Sequence, residues 1–169
     1  DLSRQILGPE ITVAVIVPTY NDSEFLRDAL LSLQQQTFEQ WRCYVVDDAS
    51  SEPVEPVLRE FLDDDRFVFL RHASNAGLAA ARNTGIRVST ENVLQFLDAD
   101  DLLTPWSLEA RVKDLRARWN DPVCAGVYGQ VLQCTEETCL TDLDSWTAEP
   151  SPGLRDWLST EGESPFNVH

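Results

Sequence analysis

The chain is poor in flexible cations. It has one lysine, Lys113, beside twelve arginines, only two histidines, His72 and His169, and no methionine. Arginine is a planar fork suited to carboxylate or phosphate, so what basic chemistry there is favours those groups. Set against 29 acids, the bases leave a formal charge of −16. That balance excludes nucleic acid as a partner, because duplex binding needs Lys and Arg facing the phosphates. The four cysteines form no framework: Cys134 and Cys139 fit neither a redox pair nor a common zinc spacing, and Cys43 lies in an apolar run as a small core residue. Free thiols of this kind suit a reducing, cytoplasmic compartment. Long apolar runs are also missing. The longest, Val13 to Val17, is far too short for a bilayer, so no membrane insertion is expected of this segment. The absence of Met and a start at Asp1 read as an excised piece of a longer protein, and no charged-then-apolar leader reads as a signal peptide.

What is present fits one domain: 169 residues, 43% hydrophobic and 25% charged. Ile11 to Val17 is β-branched and almost wholly apolar, as in a strand buried on both faces. Asn21 or Asp22 then caps a helix carrying Phe25, Leu26, Ala29, Leu30 and Leu33 on one stripe. Strands follow at Trp41 to Val46, Phe67 to Leu70 and Val93 to Leu97, with a last candidate at Ala125 to Leu132. Between them lie a helix from Ser51 to Leu62 with Val54, Val57, Leu58 and Phe61 inward, a helix from Leu78 to Val88, and one capped by Thr104 with Leu108, Val112 and Leu115 inward. Asp63-Asp64-Asp65 reads as solvated loop charge. The expected division is a tail over 1–10, a core over 11–134 and an irregular region over 135–169 with a short helix at Leu154 to Leu158.

Strands alternating with helices imply right-handed crossovers and a mostly parallel central sheet with helices on both faces, an α/β architecture. Ligands of such sheets bind beyond the carboxyl ends of the strands. Those ends are Pro18-Thr19-Tyr20-Asn21, Asp47-Asp48-Ala49-Ser50, Arg71-His72 and Asp98-Ala99-Asp100-Asp101. Five acids gathered at one edge repel one another unless a cation or hydrogen-bond donors compensate. Mg²⁺ or Mn²⁺ would serve, since hard divalent cations bridge one or two carboxylates to substrate phosphates. Acids after a strand are as often helix caps or turn residues. Gly77 allows backbone to approach a ligand closely. Arg82, about one helical turn further on, can face a diphosphate or hold one of the acids in place. Gly85 reads as a close-packing point.

Five segments, in this order, are V-I-V-P-T-Y-N, L-Q-Q-Q-T-F-E-Q-W, V-V-D-D-A-S, N-A-G-L-A-A-A-R-N-T-G and F-L-D-A-D-D. Together they resemble family 2 of the glycosyltransferases with the Rossmann-like GT-A fold, over about Ile11 to Trp119. The resemblance implies a nucleotide-diphospho-sugar donor, usually UDP-linked, a divalent cation, and transfer with inversion to a hydroxyl of a saccharide, lipid-linked or other acceptor. It places Pro18, Thr19 and Tyr20 around the nucleoside and gives Asp48 the base, at uracil N3–H. Arg82 falls near the diphosphate or sugar, Asp98 at the ribose or sugar, and Asp100 on the metal, with Asp101 the alternative ligand. Ala49 departs from the family, where Gly is common. The family's catalytic base is an acid in a later segment that this chain does not match, so the base is expected beyond His169. The full-length parent is expected in the cytoplasm, with the cytoplasmic face of a membrane as the alternative.

Three rivals differ in what they require. A haloacid-dehalogenase-type phosphatase needs a later Lys, and none follows Lys113. A sugar-nucleotidyltransferase wants a Gly-rich basic loop where Pro18-Thr19-Tyr20-Asn21 stands. A receiver carries its acids after the first strand. A non-catalytic or inactive nucleotide-sugar-binding domain is the alternative that keeps the same fold.

Overall fold

The computed structural model describes residues 10–127 and residue 129. Four strands form one parallel sheet in the order β3-β2-β1-β4: β1 is Val13–Thr19, β2 Trp41–Asp47, β3 Phe67–Arg71 and β4 Val93–Phe96. All seven residues of β1 are buried, which is what its unbroken apolar sequence requires of a central strand covered on both faces. Pro18 has no N–H to donate, and the pairing of β1 with β4 stops at Ile16.

Odd-numbered side chains of β1 point into the larger core. There Val13, Val15 and Val17 meet Leu26, Ala29, Leu30 and Leu33 of α1 (Ser23–Gln34) and Leu108 and Val112 of α4 (Ser107–Arg118). Even-numbered ones, Ala14 and Ile16, join Tyr44 and Val68 on the opposite face. α3 (Leu78–Val88) covers that face and brings Gly85 against Ile16. Helices thus lie on both faces, as the alternating pattern predicts.

Several local expectations are corrected. Phe25 is 53% exposed and lies off the stripe that Leu26, Ala29, Leu30 and Leu33 define. The second helix begins at Glu55, not Ser51, and is short: α2 is Glu55–Leu58, followed by a 3-10 turn over Arg59–Phe61. Pro56 explains the late start, because its missing N–H can be tolerated only within a helix's first turn. Of the residues expected inward, Val54 and Phe61 are buried, while Val57 and Leu58 are partly so.

Asp22 stands at the N-cap of α1 without a side-chain cap bond, and Asn21 is used elsewhere. Thr104 does not cap α4, whose N-cap position is Trp106. Instead, Gln36 at the far end of α1 reaches across: its Oε1 accepts from Leu108 N–H at 3.0 Å and its amide donates to the Thr104 carbonyl at 2.8 Å. Asp64 is not free solvated charge, since Arg66 donates to it through Nη2 at 2.7 Å and Nε at 2.9 Å. Ala125–Val127 form no strand; residue 128, residues 130–134, the region 135–169 and the helix at Leu154 to Leu158 lie outside the described residues, as do residues 1–9.

Candidate functional site

Because the strands are parallel, their carboxyl ends share one edge. Thr19, Asp47 and Arg71 are register partners at the ends of β1, β2 and β3. Thr19 is buried and its hydroxyl oxygen has no hydrogen-bond partner among the described residues, whereas Tyr20 beside it is 46% exposed. Asn21 adopts a left-handed backbone, φ 61°, a conformation that asparagine tolerates better than most residues. It ties the β1 loop to the β2 loop: its side-chain oxygen accepts from Ser51 N–H at 2.8 Å, and its own N–H donates to Ser50 Oγ at 2.9 Å.

The two acids ending β2 are both buried, and each has its own donors. Asp47 accepts from Ser50 N–H (2.9 Å), Ser50 Oγ (2.6 Å) and Arg71 Nη1 (2.5 Å). Arg71 also donates to the Ser50 carbonyl at 2.9 Å. Asp48 accepts on Oδ1 from His72 Nδ1 (2.6 Å) and Ala76 N–H (2.9 Å), and on Oδ2 from Gly77 N–H (2.7 Å). Burial alone would push the Asp48 carboxyl up. The hydrogen bonds from Ala76, His72 and Gly77 outweigh it and hold the group below its ordinary value. Gly77 itself sits at φ 88°, a backbone that only glycine adopts freely, with open space where a Cβ would lie.

The turn after β4 is built differently. Ala99 is buried, Asp98 O accepts from Asp101 N–H at 3.1 Å, and Asp100 and Asp101 face outward. Arg82 on α3 donates from Nη2 to Asp98 Oδ1 at 2.6 Å, and its guanidinium lies 5.4 Å over the Phe96 ring. Its Nε is buried without a partner among the described residues. Neither Asp100 nor Asp101 accepts a side-chain hydrogen bond there. Burial, and then the charges of Asp100 and Asp98, push the Asp101 carboxyl up. Uncompensated repulsion of this kind is what a cation relieves.

Of the five acids that the sequence gathers at this edge, Asp47 and Asp48 are therefore balanced by the fold, and Asp98 is balanced by Arg82. Asp100 and Asp101 remain. Among the described residues no three His, Cys, Asp or Glu side chains converge as a complete metal cage. Among the described residues Asp100 and Asp101 are the strand-end carboxylates that could hold a hard divalent cation, which completes its coordination with phosphate and water. Sequence reasoning names Arg71-His72 only as a strand end and misses both as partners of Asp47 and Asp48. The signal available was weak: a basic residue and a histidine following a strand beside two acids.

An open parallel sheet with helices on both faces and acidic turns at its carboxyl edge defines the class, an α/β fold, and solved glycosyltransferases of the GT-A type share it. The sequence profile described as glycosyl transferase family 2 matches residues 14–160, and the chain belongs to that family. Among curated relatives, it is 35% identical over 116 residues to glycosyltransferase GlyA of Streptococcus pneumoniae serotype 4, covering 69% of this chain and 16% of that one. To the uncharacterized glycosyltransferase YibD of Escherichia coli K12 it is 28% identical over 155 residues, 86% of this chain and 42% of that one. The chain therefore spans less than half the length of these relatives. Among solved structures, Staphylococcus aureus TarS 1-349 in complex with UDP-GlcNAc superposes with a TM-score of 0.61 at 23% identity, over 64% of this chain and 32% of that one. Mannosyltransferase PcManGT from Pyrobaculum calidifontis, in complex with GDP-Man and Mn²⁺, gives 0.59 at 28% identity, over 68% and 34%. No helix among the described residues is long and apolar enough to cross a membrane.

Proposed function

We propose that this chain is the donor-binding part of an inverting, metal-dependent glycosyltransferase whose donor is a UDP-linked sugar. The observation that carries the proposal is the contrast at the sheet edge between buried Asp48, held by three donors, and the pair Asp100 and Asp101, which has no side-chain donor among the described residues. A nucleoside needs a fixed acceptor in a dry wall, and a diphosphate needs a cation held by free carboxylates. TarS and PcManGT support the donor class, since the one is in complex with UDP-GlcNAc and the other with GDP-Man and Mn²⁺.

In this reading Pro18, Thr19 and Tyr20 line the nucleoside, with the unpaired Thr19 hydroxyl free to take a bond from the ligand. Asp48 accepts the base's ring N–H. Asp98 faces the ribose or sugar, oriented by Arg82, and Arg82 lies near the diphosphate through the part of its guanidinium that Asp98 leaves free. Asp100 holds Mn²⁺ or Mg²⁺, with Asp101 as the alternative ligand; when bound, the cation neutralises charge on the diphosphate leaving group. The acceptor is a hydroxyl of a saccharide or lipid-linked molecule. Its base must stand beside the acceptor, and every described acid at the strand ends is committed to the donor side.

Calorimetric titration with UDP, CDP and GDP, each with and without Mn²⁺, tests this. UDP should bind best and Mn²⁺ should tighten it. Asp100→Asn should bind UDP more weakly and lose the metal response. Full metal dependence in Asp100→Asn with loss in Asp101→Asn moves the ligand to Asp101. A preference for GDP redirects the donor, and equal binding of UDP and CDP removes Asp48 from the base.

A further inference from the structure

His72 follows β3, and its ring bridges two walls of the site. Nδ1 lies 2.6 Å from Asp48 Oδ1, and Nε2 lies 2.9 Å from Thr84 Oγ1 on α3. Arg87 Nη2 donates to the same Thr84 oxygen at 2.7 Å. These contacts assign the protons. An ionised carboxylate only accepts, so Nδ1 carries a hydrogen; an arginine only donates, so Thr84 Oγ1 accepts from Arg87. The ring therefore donates from Nδ1 to Asp48, and Thr84 Oγ1 holds its other nitrogen in place.

The consequence falls on Asp48. A carboxylate offers about four lone-pair sites. Oδ1 spends two, on His72 and on Ala76 N–H, and Oδ2 spends one, on Gly77 N–H. The site left over is on Oδ2. We propose that His72 is a positioning residue that sets base selectivity, by occupying Oδ1 so that Asp48 presents a single acceptor, on Oδ2, to the ring N–H of the nucleobase. The proposal rests on the reading of Asp48 as the base acceptor. A base that offers an acceptor at that place, as cytosine N3 does, meets a second acceptor that cannot turn away. Without His72 the carboxylate loses one of its three donors, Oδ1 regains a free lone pair, and a rotated carboxylate or a bridging water can satisfy the wrong base.

The test uses the whole chain. With only two histidines, the ring nitrogens of His72 are assigned in a ¹⁵N spectrum by the signals that vanish in His72→Phe. They should report a hydrogen on Nδ1. UDP and CDP are then titrated into the wild type, His72→Phe, His72→Asn and Asp48→Asn. His72→Phe keeps a ring but loses the donor; it should lose about tenfold in UDP affinity and at least as much of the UDP-over-CDP preference. His72→Asn places an N–H donor near the Nδ1 position and should restore most of that preference, which a role in packing alone would not predict. An Nε2–H tautomer overturns the proposal, and so does an unchanged preference in His72→Phe. If the preference survives in His72→Phe but is lost in Asp48→Asn, only the positioning role fails. If the wild type itself binds UDP and CDP alike, the base-acceptor reading falls and takes this one with it.

Discussion

Adding one methyl group at Gly85 tests how closely α3 is seated on the sheet. A Cβ there would lie 2.6 Å from Ile16 Cγ2 and 3.0 Å from Ile16 Cδ1. Carbon atoms settle about 3.5–4.0 Å apart, so roughly 1 Å must be found. Ile16 is fully buried between Ala14 and Tyr44 and has little room to yield. Overpacking of this kind costs about 1–3 kcal/mol. Alanine in place of glycine inside a helix returns about 1 kcal/mol. The net expectation for Gly85→Ala is a loss of about 0–2 kcal/mol, or up to about 8 °C in Tm. Nucleotide binding should weaken as well, because α3 carries Arg82 and Thr84 and begins at the Gly77 loop. The assay is a double-mutant cycle by thermal melting. Ile16→Ala removes both clashing atoms and alone costs about 2–5 kcal/mol through its cavity. In that background Gly85→Ala should be neutral or stabilising, giving a coupling of about 1 kcal/mol or more. An equal rise in Tm in both backgrounds would refute the seating of α3 on β1, and with it the reach of Arg82 to Asp98.

The other expectations concern the strand-end turns. Ala49 has φ 62°, a left-handed conformation that costs a residue with a Cβ about 1 kcal/mol, so Ala49→Gly should raise Tm in a simple melt; a fall would mean that the turn is not left-handed. Asp101 is raised in the folded state, so its contribution is full at low pH and is lost as pH rises through that raised value. Asp101→Asn should therefore stabilise the metal-free protein at pH 7 by a few tenths of a kcal/mol, an amount kept small by solvent screening, with no gain at pH 3. Asp48 is depressed, so its contribution is full above the unfolded carboxyl range near pH 3.9 and is lost as pH falls through the still lower folded value. Asp48→Asn should flatten the acid limb of a Tm-against-pH curve, and an unchanged limb would show that its three donors do not stabilise the charge.

The strands were legible because the chemistry that forms them is local. Five consecutive apolar residues from Val13 to Val17 have no place but a central parallel strand, and the stripe Leu26, Ala29, Leu30, Leu33 repeats at helical spacing. The acidic turn after β4 was legible for a different reason, since a free carboxylate pair is a choice of residue type. What escaped depends on partners distant in sequence. Leu108 is capped by Gln36, 72 residues away, and no pattern around Thr104 announces that. The Asp48 carboxylate is held by backbone N–H groups 28 and 29 residues on, which carry no side-chain identity to read. Pro56 was readable, and giving its missing N–H full weight would have moved the start of α2 to its observed place.

Two adjacent buried carboxylates, Asp47 and Asp48, pose an electrostatic problem that the fold solves by geometry. Successive residues at a strand end point to opposite sides. Asp47 turns toward Arg71 and Ser50, while Asp48 turns toward His72 and the 76–77 backbone, so the two negative charges share no donor. Arg71 and His72 are themselves consecutive at the end of the neighbouring strand and part in the same way, one to each acid. The pairing is a direct product of parallel register, in which Asp47 lies opposite Arg71. It also explains why the charge of this edge can stay high without unfolding it. Each acid of β2 has its own donors within the protein, and among the described residues the repulsion that remains is at the turn after β4. There Asp98 has Arg82, while Asp100 and Asp101 have no side-chain donor among the described residues. In the function proposed above, a cation arriving with a diphosphate meets the carboxylates of that turn, which the described residues leave without a side-chain donor.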